Sequence, residues 1–113
     1  MNAPVSTANR IRELNDAFRI TGPAAGDWML TSGIRALGPD FICLAVKAVR
    51  GHAIFTADND PYGEHDFGSL NLAGEHLFWK IDHYDRELVY GSDDPSNPAI
   101  TRRVMTIMLA SEY

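Results

Sequence analysis

Cysteine is almost missing from this sequence, since Cys43 is the only one in 113 residues. No disulfide can therefore form within the chain, which fits a reducing compartment such as the cytoplasm. Long apolar stretches are missing too, because the longest runs, such as residues 42–46, are far too short to span a bilayer. Residues 1–12 lack the apolar core of a signal peptide. We expect a cytoplasmic protein that does not insert into a membrane.

The motifs that mark common enzyme classes are also absent. The sequence holds no Gly-x-Ser-x-Gly elbow, no phosphate-binding loop, no dinucleotide fingerprint and no Cys-x-x-Cys pair. Cys43 lies in an apolar helical run, where a thiol is expected to be buried and inert. The sequence therefore predicts no catalytic residue and no cofactor.

Charge is spread unevenly along the chain, whose formal net charge is −5. Residues 58–94 hold ten Asp and Glu residues against only Lys80 and Arg86. Such a field repels nucleic-acid phosphates and favours a cation or a basic protein surface. Arg102 and Arg103 add too few positive charges for a phosphate-reading patch, so direct nucleic-acid binding is not expected. The alternative is that these acids simply belong to solvent-exposed turns, in which Asp is common, and bind nothing.

Apolar spacing predicts a helix and a strand near the start of the chain. Ser6 or Thr7 caps the helix, residues 21–23 end it, and its apolar face is formed by Ile11, Leu14 and Phe18. Residues 28–31 predict a short strand.

A second helix and strand follow. Pro39 suits the first position of the helix, Gly51 ends it, and the expected apolar side consists of Phe41, Leu44, Ala45 and Ala48. Residues 53–56 predict the second strand.

The second half of the chain is dominated by hairpin signals. Residues 67–72 and 76–84 predict two strands around Ala73-Gly74-Glu75. In the second strand, one expected face holds Leu77, Trp79 and Ile81, and the other holds Phe78, Lys80 and Asp82. Trp79 and Phe67 are expected in the core, whereas Phe78 and Tyr84 are the better surface candidates.

Two further elements are predicted after the hairpin. Residues 88–90 predict a third antiparallel arm. Asn97 is the expected cap of a last helix with Pro98 at its first position, and the predicted buried stripe is Ile100, Val104, Ile107 and Met108.

These elements predict an α+β fold in a single domain over residues 1–113. The expected architecture is a small antiparallel sheet of three to five strands, arranged as a meander and packed with about three helices in the order α-β-α-β-β-β-α. Residues 1–5 are expected to be disordered.

Four stretches carry a resemblance to a known family. They are IRELNDAF at 11–18, DNDPYGEHDFG at 58–68, FWKIDHYD at 78–85 and TRRVMTIMLASEY at 101–113. In these motifs the chain resembles a bacterial family of small proteins of unknown function that are common on mobile genetic elements. The resemblance brings no activity or catalytic residue. It implies the setting of mobile-element cargo, whose accessory proteins often act on host defence or on element maintenance.

The loop at residues 58–63 begins like a calcium-binding loop. Asp58 and Asp60 hold the first and third positions, and Gly63 holds the sixth. The pattern then departs, since Tyr62 holds the fifth position and Ser69 stands where a bidentate Glu is needed. We therefore favour a structural turn in which Asp58 and Asp60 accept backbone hydrogen bonds.

A metal site is the main alternative hypothesis. Glu64-His65-Asp66 is the densest titratable set, and His65 and Asp66 could bind a metal if His83, Asp82 or Asp85 came near. His76 and His83 are seven residues apart, so they face opposite sides of a regular strand. His83 shares the face of Trp79, and we favour a core-edge histidine bonded to a backbone carbonyl.

Aromatic side chains among the acids are typical of a protein-binding surface. The leading hypothesis is a non-catalytic protein that binds a basic partner and inhibits a host nucleic-acid-handling defence complex, of the anti-CRISPR or anti-restriction type. One alternative is a metal-binding protein or metal-dependent enzyme that uses the Glu64-His65-Asp66 and Asp82-His83 region, with His65, Asp66 and His83 as the metal ligands. Another is a regulatory subunit or homodimer. The expected binding surface consists of Asp58, Asp60, Tyr62, Glu64, His65, Asp66, Phe78, Asp82, Tyr84, Asp85, Asp93 and Asp94.

Overall fold

The first helix, α1, spans Thr7–Thr21 in a computed structural model that describes residues 6–113. Ser6 caps it, because its hydroxyl accepts the N–H of Asn9 at 3.1 Å. Gly22, with a φ of 83°, ends the helix in a conformation that glycine tolerates well. The prediction for this helix is confirmed, whereas the expected disorder of residues 1–5 lies outside the described residues.

Two more helices follow the first strand. β1 spans Asp27–Leu30, as predicted, and α2 spans Ser32–Ala36, a short helix that the sequence did not predict. α3 spans Pro39–Arg50 between the predicted boundaries. None of the helices within residues 6–113 has the length and apolar character that a membrane span requires.

The buried side of α3 is rotated from the predicted one. Ala45 and Val49 are fully buried, whereas Leu44 is 51% exposed. Cys43 is also exposed, so the expectation of a buried thiol is wrong. The helix is apolar on more than one side, and spacing alone could not select the side that packs on the sheet.

The sheet has four strands in the spatial order β1-β4-β3-β2. β2 spans Phe67–Leu72, β3 spans Glu75–Tyr84 and β4 spans Arg102–Leu109. β2, β3 and β4 form an antiparallel meander, and β1 adds to β4 in parallel. The α+β class and the hairpin are therefore confirmed, while the sheet is mixed rather than wholly antiparallel.

Three predicted elements are wrong. Residues 53–56 and 88–90 form no strand, and residues 88–90 lie in a turn that carries only a single bridge from Gly91 to Tyr84. The predicted last helix is instead β4 and a short 3-10 turn over Ala110–Glu112. β4 is a central strand, and Met108 on its outer face is buried as well as Ile107. An apolar pattern on both faces resembles helical spacing.

The core lies between the helices and one face of the sheet. Leu77, Trp79 and Ile81 point into it, as predicted, with Met105 and Ile107 from β4. The helices contribute Ile34, Ala45 and Val49. The opposite face of the sheet carries Phe67, Phe78 and Tyr84, which are all half-buried, so the expectation that Phe67 lies in the core is wrong.

Candidate functional site

The loop from residue 52 to residue 66 is fastened to α1 by three side chains of that helix. Arg12 donates to the carbonyl of Gly63 at 3.2 Å, and Asn15 donates to the carbonyl of Glu64 at 2.9 Å. The ring of His65 lies 2.9 Å from Asp16 through Nδ1 and Oδ1. The loop is therefore held in place although it contains no strand.

His65 is the centre of this attachment. Its ring stacks on Phe55 with centroids 3.6 Å apart, and its backbone N–H donates to Asp60 at 3.1 Å. The predicted structural turn is thus confirmed for Asp60. His65 has a φ of 54°, a left-handed conformation that a side chain disfavours. The contacts to Phe55, Asp16 and Asp60 offset that strain.

An open groove of about 370 Å³ lies between this loop and the outer face of the sheet. We call it the acidic groove, because its charged lining consists of Asp58, Asp66 and Asp82 against Lys80 alone. Lys80 is already engaged, since its ammonium lies 2.9 Å from the Asp82 carboxylate. The other lining residues are Asn59, Phe67, Ile81 and Tyr113.

The carboxylates of this region repel one another. Burial raises the pKa of Asp66, and the charges of Asp60 and Asp82 raise it further. Burial likewise raises the pKa of Glu64, with the charges of Asp66 and Asp60 adding to it. The region therefore holds negative charge that the chain itself leaves partly uncompensated, which favours a cation from outside.

Aromatic rings border the acidic groove on the outer face of the sheet. Phe67 and Phe78 have centroids 5.2 Å apart, and Tyr113 lies 5.8 Å from Phe67 and 5.4 Å from Phe78. Tyr113 is placed by its neighbour Glu112, whose carboxylate accepts from the Thr31 hydroxyl at 2.7 Å. The rings supply apolar surface beside the acids.

The predicted surface is brought together only in part. Asp58, Asp66 and Asp82 line the acidic groove, and Phe78 joins the bordering rings. The charge of Asp60 raises the pKa of Asp66, and the charges of Asp66 and Asp60 raise the pKa of Glu64. Tyr62 is 79% exposed on the loop. The remaining residues lie beyond the groove: Tyr84 ends β3, Asp85 and Asp94 accept backbone N–H groups in turns, and Asp93 is exposed.

The predicted metal ligands face different partners. His65 bonds to Asp16, whereas His83 lies 2.9 Å from the Asn15 side chain. Within residues 6–113, no three His, Cys, Asp or Glu groups are arranged to hold a metal ion. His83 does lie at the core edge, but its partner is a side chain, so the expected bond to a backbone carbonyl is wrong.

Asn15 is the functional candidate that the sequence did not single out. It is fully buried, and its Oδ1 accepts from Arg103 Nε at 2.7 Å and from His83 Nε2 at 2.9 Å. Burial, and then the charge of Arg103, lowers the pKa of His83 to about 4. A signal was present, because Asn15 interrupts the apolar stripe of Ile11 and Phe18 at helical spacing.

No curated protein and no solved structure matches this chain. A family model described as "Protein of unknown function (DUF3768)" matches residues 30–112. The matched range contains the loop, the lining residues of the acidic groove apart from Tyr113, and the strands β2, β3 and β4, whereas α1 precedes it. Since the match covers well over half of the 113 residues, the chain belongs to this DUF3768 family of unknown function.

Proposed function

We propose that this protein is a non-catalytic interaction protein whose acidic groove binds Arg or Lys side chains of a basic partner. The observation that carries the proposal is the convergence of Asp58, Asp66 and Asp82 on one open groove, in which Lys80 is the only cation among the described lining residues. Carboxylates that line an open groove with little compensation attract and orient a cationic surface.

The electrostatics of the groove support this choice of partner. Asp66 and Glu64 have raised pKa values, for which burial is the first cause and neighbouring carboxylates the next. An incoming guanidinium would relieve that repulsion and form charge-assisted hydrogen bonds. Arginine suits the site better than lysine, because its planar fork can reach two carboxylates at once.

The aromatic border supports a protein ligand. Phe67 lines the groove, and the rings of Phe78 and Tyr113 pack against the ring of Phe67. Aromatic rings beside acids can cover the apolar stem of an arginine and contact its guanidinium face. Binding would then combine long-range attraction with a small apolar anchor.

The class of partner follows from its charge. Proteins that bind DNA or RNA carry basic surfaces that neutralise phosphates, and an acidic groove can compete for such a surface. The resemblance of the sequence motifs to a family common on mobile genetic elements supports a role against host defence in the cytoplasm. We therefore propose an inhibitor of a nucleic-acid-handling defence complex, of the anti-CRISPR or anti-restriction type.

The binding step is tested with a hexa-arginine peptide as the probe. The triple variant Asp58→Asn, Asp66→Asn, Asp82→Asn should bind it at least about tenfold more weakly, because each exposed pair contributes up to about 1 kcal/mol. The affinity of the native protein should also fall as salt is added.

A matched control carries the same charge change outside the groove. The triple variant Glu13→Gln, Glu87→Gln, Asp93→Asn removes three exposed acids that do not line it. Isothermal titration calorimetry should show nearly native affinity for this control. Equal losses in the two triple variants would mean that only net charge matters, and that the groove is not a site.

The defence step needs a separate assay. Expression of the native chain in bacteria with an active CRISPR or restriction system should raise the efficiency of phage plating, and the groove variant should not. If the native chain binds the hexa-arginine peptide but does not change the efficiency of phage plating, the anti-defence role is wrong and the binding of a basic partner still stands. The metal hypothesis is tested by elemental analysis of the purified protein, where one tightly bound metal per chain would favour it.

A further inference from the structure

A second pocket, of about 460 Å³, lies where β1, the start of β4 and α1 meet. We call it the basic pocket, because Arg86, Arg102 and Arg103 line it and Asp27 is the only carboxylate that residues 6–113 contribute to its lining. Phe18 and Gly26 provide apolar and backbone surface. Its volume falls in the usual range for small-molecule sites.

Only one of the three arginines is neutralised. Asp27 accepts two hydrogen bonds from Arg102, at 2.7 and 3.0 Å. Arg103 is only 8% exposed, yet its bonds go to neutral acceptors, Asn15 Oδ1 and the Pro95 carbonyl. Within residues 6–113, neither Arg103 nor Arg86 lies in a salt bridge with a carboxylate.

A buried guanidinium without an anion is costly, and the surroundings of Arg103 reflect this. Burial, and then the charge of Arg10, lowers the pKa of Arg103 to about 10. The positive charge of Arg103 in turn lowers the pKa of His83, after the larger effect of burial. The local field is therefore positive in a chain whose net charge is −5.

We propose that the basic pocket binds the phosphate group of a small phosphate monoester, with Arg103 and Arg86 as its guanidinium ligands. The charges match, because the lining carries three arginines and one aspartate, and a phosphate monoester carries about two negative charges at neutral pH. Arginine forks bind phosphate oxygens through paired hydrogen bonds. Phe18 offers an apolar wall for the organic part of the ester.

The test uses phenyl phosphate, inorganic phosphate and benzoate as probes in calorimetric titrations of the full chain. Phenyl phosphate should bind most tightly, because it has both the dianion and a ring for Phe18. Inorganic phosphate should bind more weakly, and benzoate, with a single charge, weakest. Benzoate affinity equal to that of phenyl phosphate would overturn the preference for a phosphate group. Equal affinities for inorganic phosphate and phenyl phosphate would overturn the proposal that the ligand is a phosphate ester.

Variants locate the binding. Arg86→Ala changes an exposed residue and should weaken phenyl phosphate at least about tenfold, as expected for a lost charge-assisted bond. Arg35→Ala, an exposed arginine on α2 outside the pocket, should bind like the native protein. Arg103→Lys keeps the charge and loses the fork, so binding should again weaken. Native affinity in folded Arg86→Ala, or no binding of phenyl phosphate at millimolar concentration, would overturn the proposal.

Discussion

The acidic groove and the basic pocket carry opposite charge and are built in different ways. Two acids of the groove, Asp58 and Asp66, lie on the loop that side chains of α1 hold in place. Burial together with repulsion from neighbouring carboxylates raises the pKa of Asp66. In the basic pocket, Arg103 extends from β4 itself and is held by neutral acceptors, and burial lowers its pKa. Each shift disfavours the charged form, so each region would gain from an opposite charge supplied by a ligand.

The two regions meet at one side chain. Asn15 donates from Nδ2 to the Glu64 carbonyl in the loop, and its Oδ1 accepts from Arg103 and His83. The side-chain amide of Asn15 can donate to a carbonyl through its nitrogen while its oxygen accepts from two N–H groups. A carboxylate at this position could accept both N–H groups but could not donate to the carbonyl. Asn15 therefore couples the position of the acidic loop to that of the basic strand.

The largest effect is expected at Trp79, which belongs to the core between the helices and the sheet. Trp79→Ala should lower the free energy of unfolding by about 3–5 kcal/mol, as for other large aromatics removed from a core. Urea denaturation should show one transition for the whole chain, shifted to lower urea. Tyr62→Ala, at a ring that is 79% exposed, is the control and should stay near native stability. Two separate transitions would mean that the regions fold independently.

Asn15→Ala should cost about 2–3 kcal/mol of stability, because it leaves buried groups of His83 and Arg103 without their acceptor. Chemical denaturation measures this loss. Asn15→Asp is the sharper variant, since its carboxylate would neutralise Arg103. Phenyl phosphate binding should then weaken at least about tenfold, as expected when a charged contact is lost. Hexa-arginine binding should change far less, because Arg12 and Asp16 still hold the acidic loop after the bond from Asn15 to Glu64 is lost. Equal losses for both probes would show that the regions are not separable.

His83 should make stability depend on pH below neutrality. Its pKa is about 4 in the folded chain and about 6.5 when unfolded, so folding favours the neutral ring. This contribution is complete above about pH 6.5 and is lost as the pH falls towards 4, by about 2 kcal/mol after allowance for partial exposure. His83→Gln should flatten that part of the stability profile measured by denaturation. An unchanged profile would mean that the ring is solvated.

Asp66 should act in the opposite direction and more weakly. Because its pKa is raised in the folded chain, its ionised form destabilises the fold above that pKa, and the penalty fades as the pH falls. Asp66→Asn should therefore raise stability at pH 7 by about 0.5 kcal/mol, since the group is partly exposed. Thermal unfolding at pH 7 measures the gain, with Asp93→Asn as the exposed control. A loss of stability would indicate that the carboxylate is a required acceptor.

Capping residues and turn residues in the sequence correctly predicted the helices α1 and α3 and the hairpin, whose limits depend on contacts between residues close in sequence. The limits of α1 and α3 follow from Ser6, Gly22, Pro39 and Gly51, and the hairpin follows from Ala73-Gly74 and from strand alternation. β4 was predicted as a helix because both of its faces are apolar, and only its central place in the sheet distinguishes the two structures. The loop at residues 53–56 has strand-forming residues, yet it pairs with none of the strands.

The site was predicted less completely than the fold. Composition identified the acidic segment, and three of its acids do meet in the groove. Asp85 and Asp94 instead satisfy backbone N–H groups of their own turns, a use of Asp that composition cannot distinguish from binding. The basic pocket depends on Asp27, Arg86 and Arg102, which lie far apart in sequence. The parallel pairing of β1 with β4 brings Asp27 to Arg102, and the antiparallel pairing of β3 with β4 brings the turn that carries Arg86.

That pairing also sets the order in which the chain can complete its fold during synthesis. β4 is the last of the four strands to leave the ribosome, yet it stands between β1 and β3 and joins them. Until it emerges, β1 has no partner strand and the apolar face of β3 is only partly covered. Contacts between residues 27 and 104 close a long stretch of chain, which slows folding. The core around Trp79 would therefore stay incomplete until β4 has been synthesised and paired, and during that time it is most open to chaperones and to aggregation.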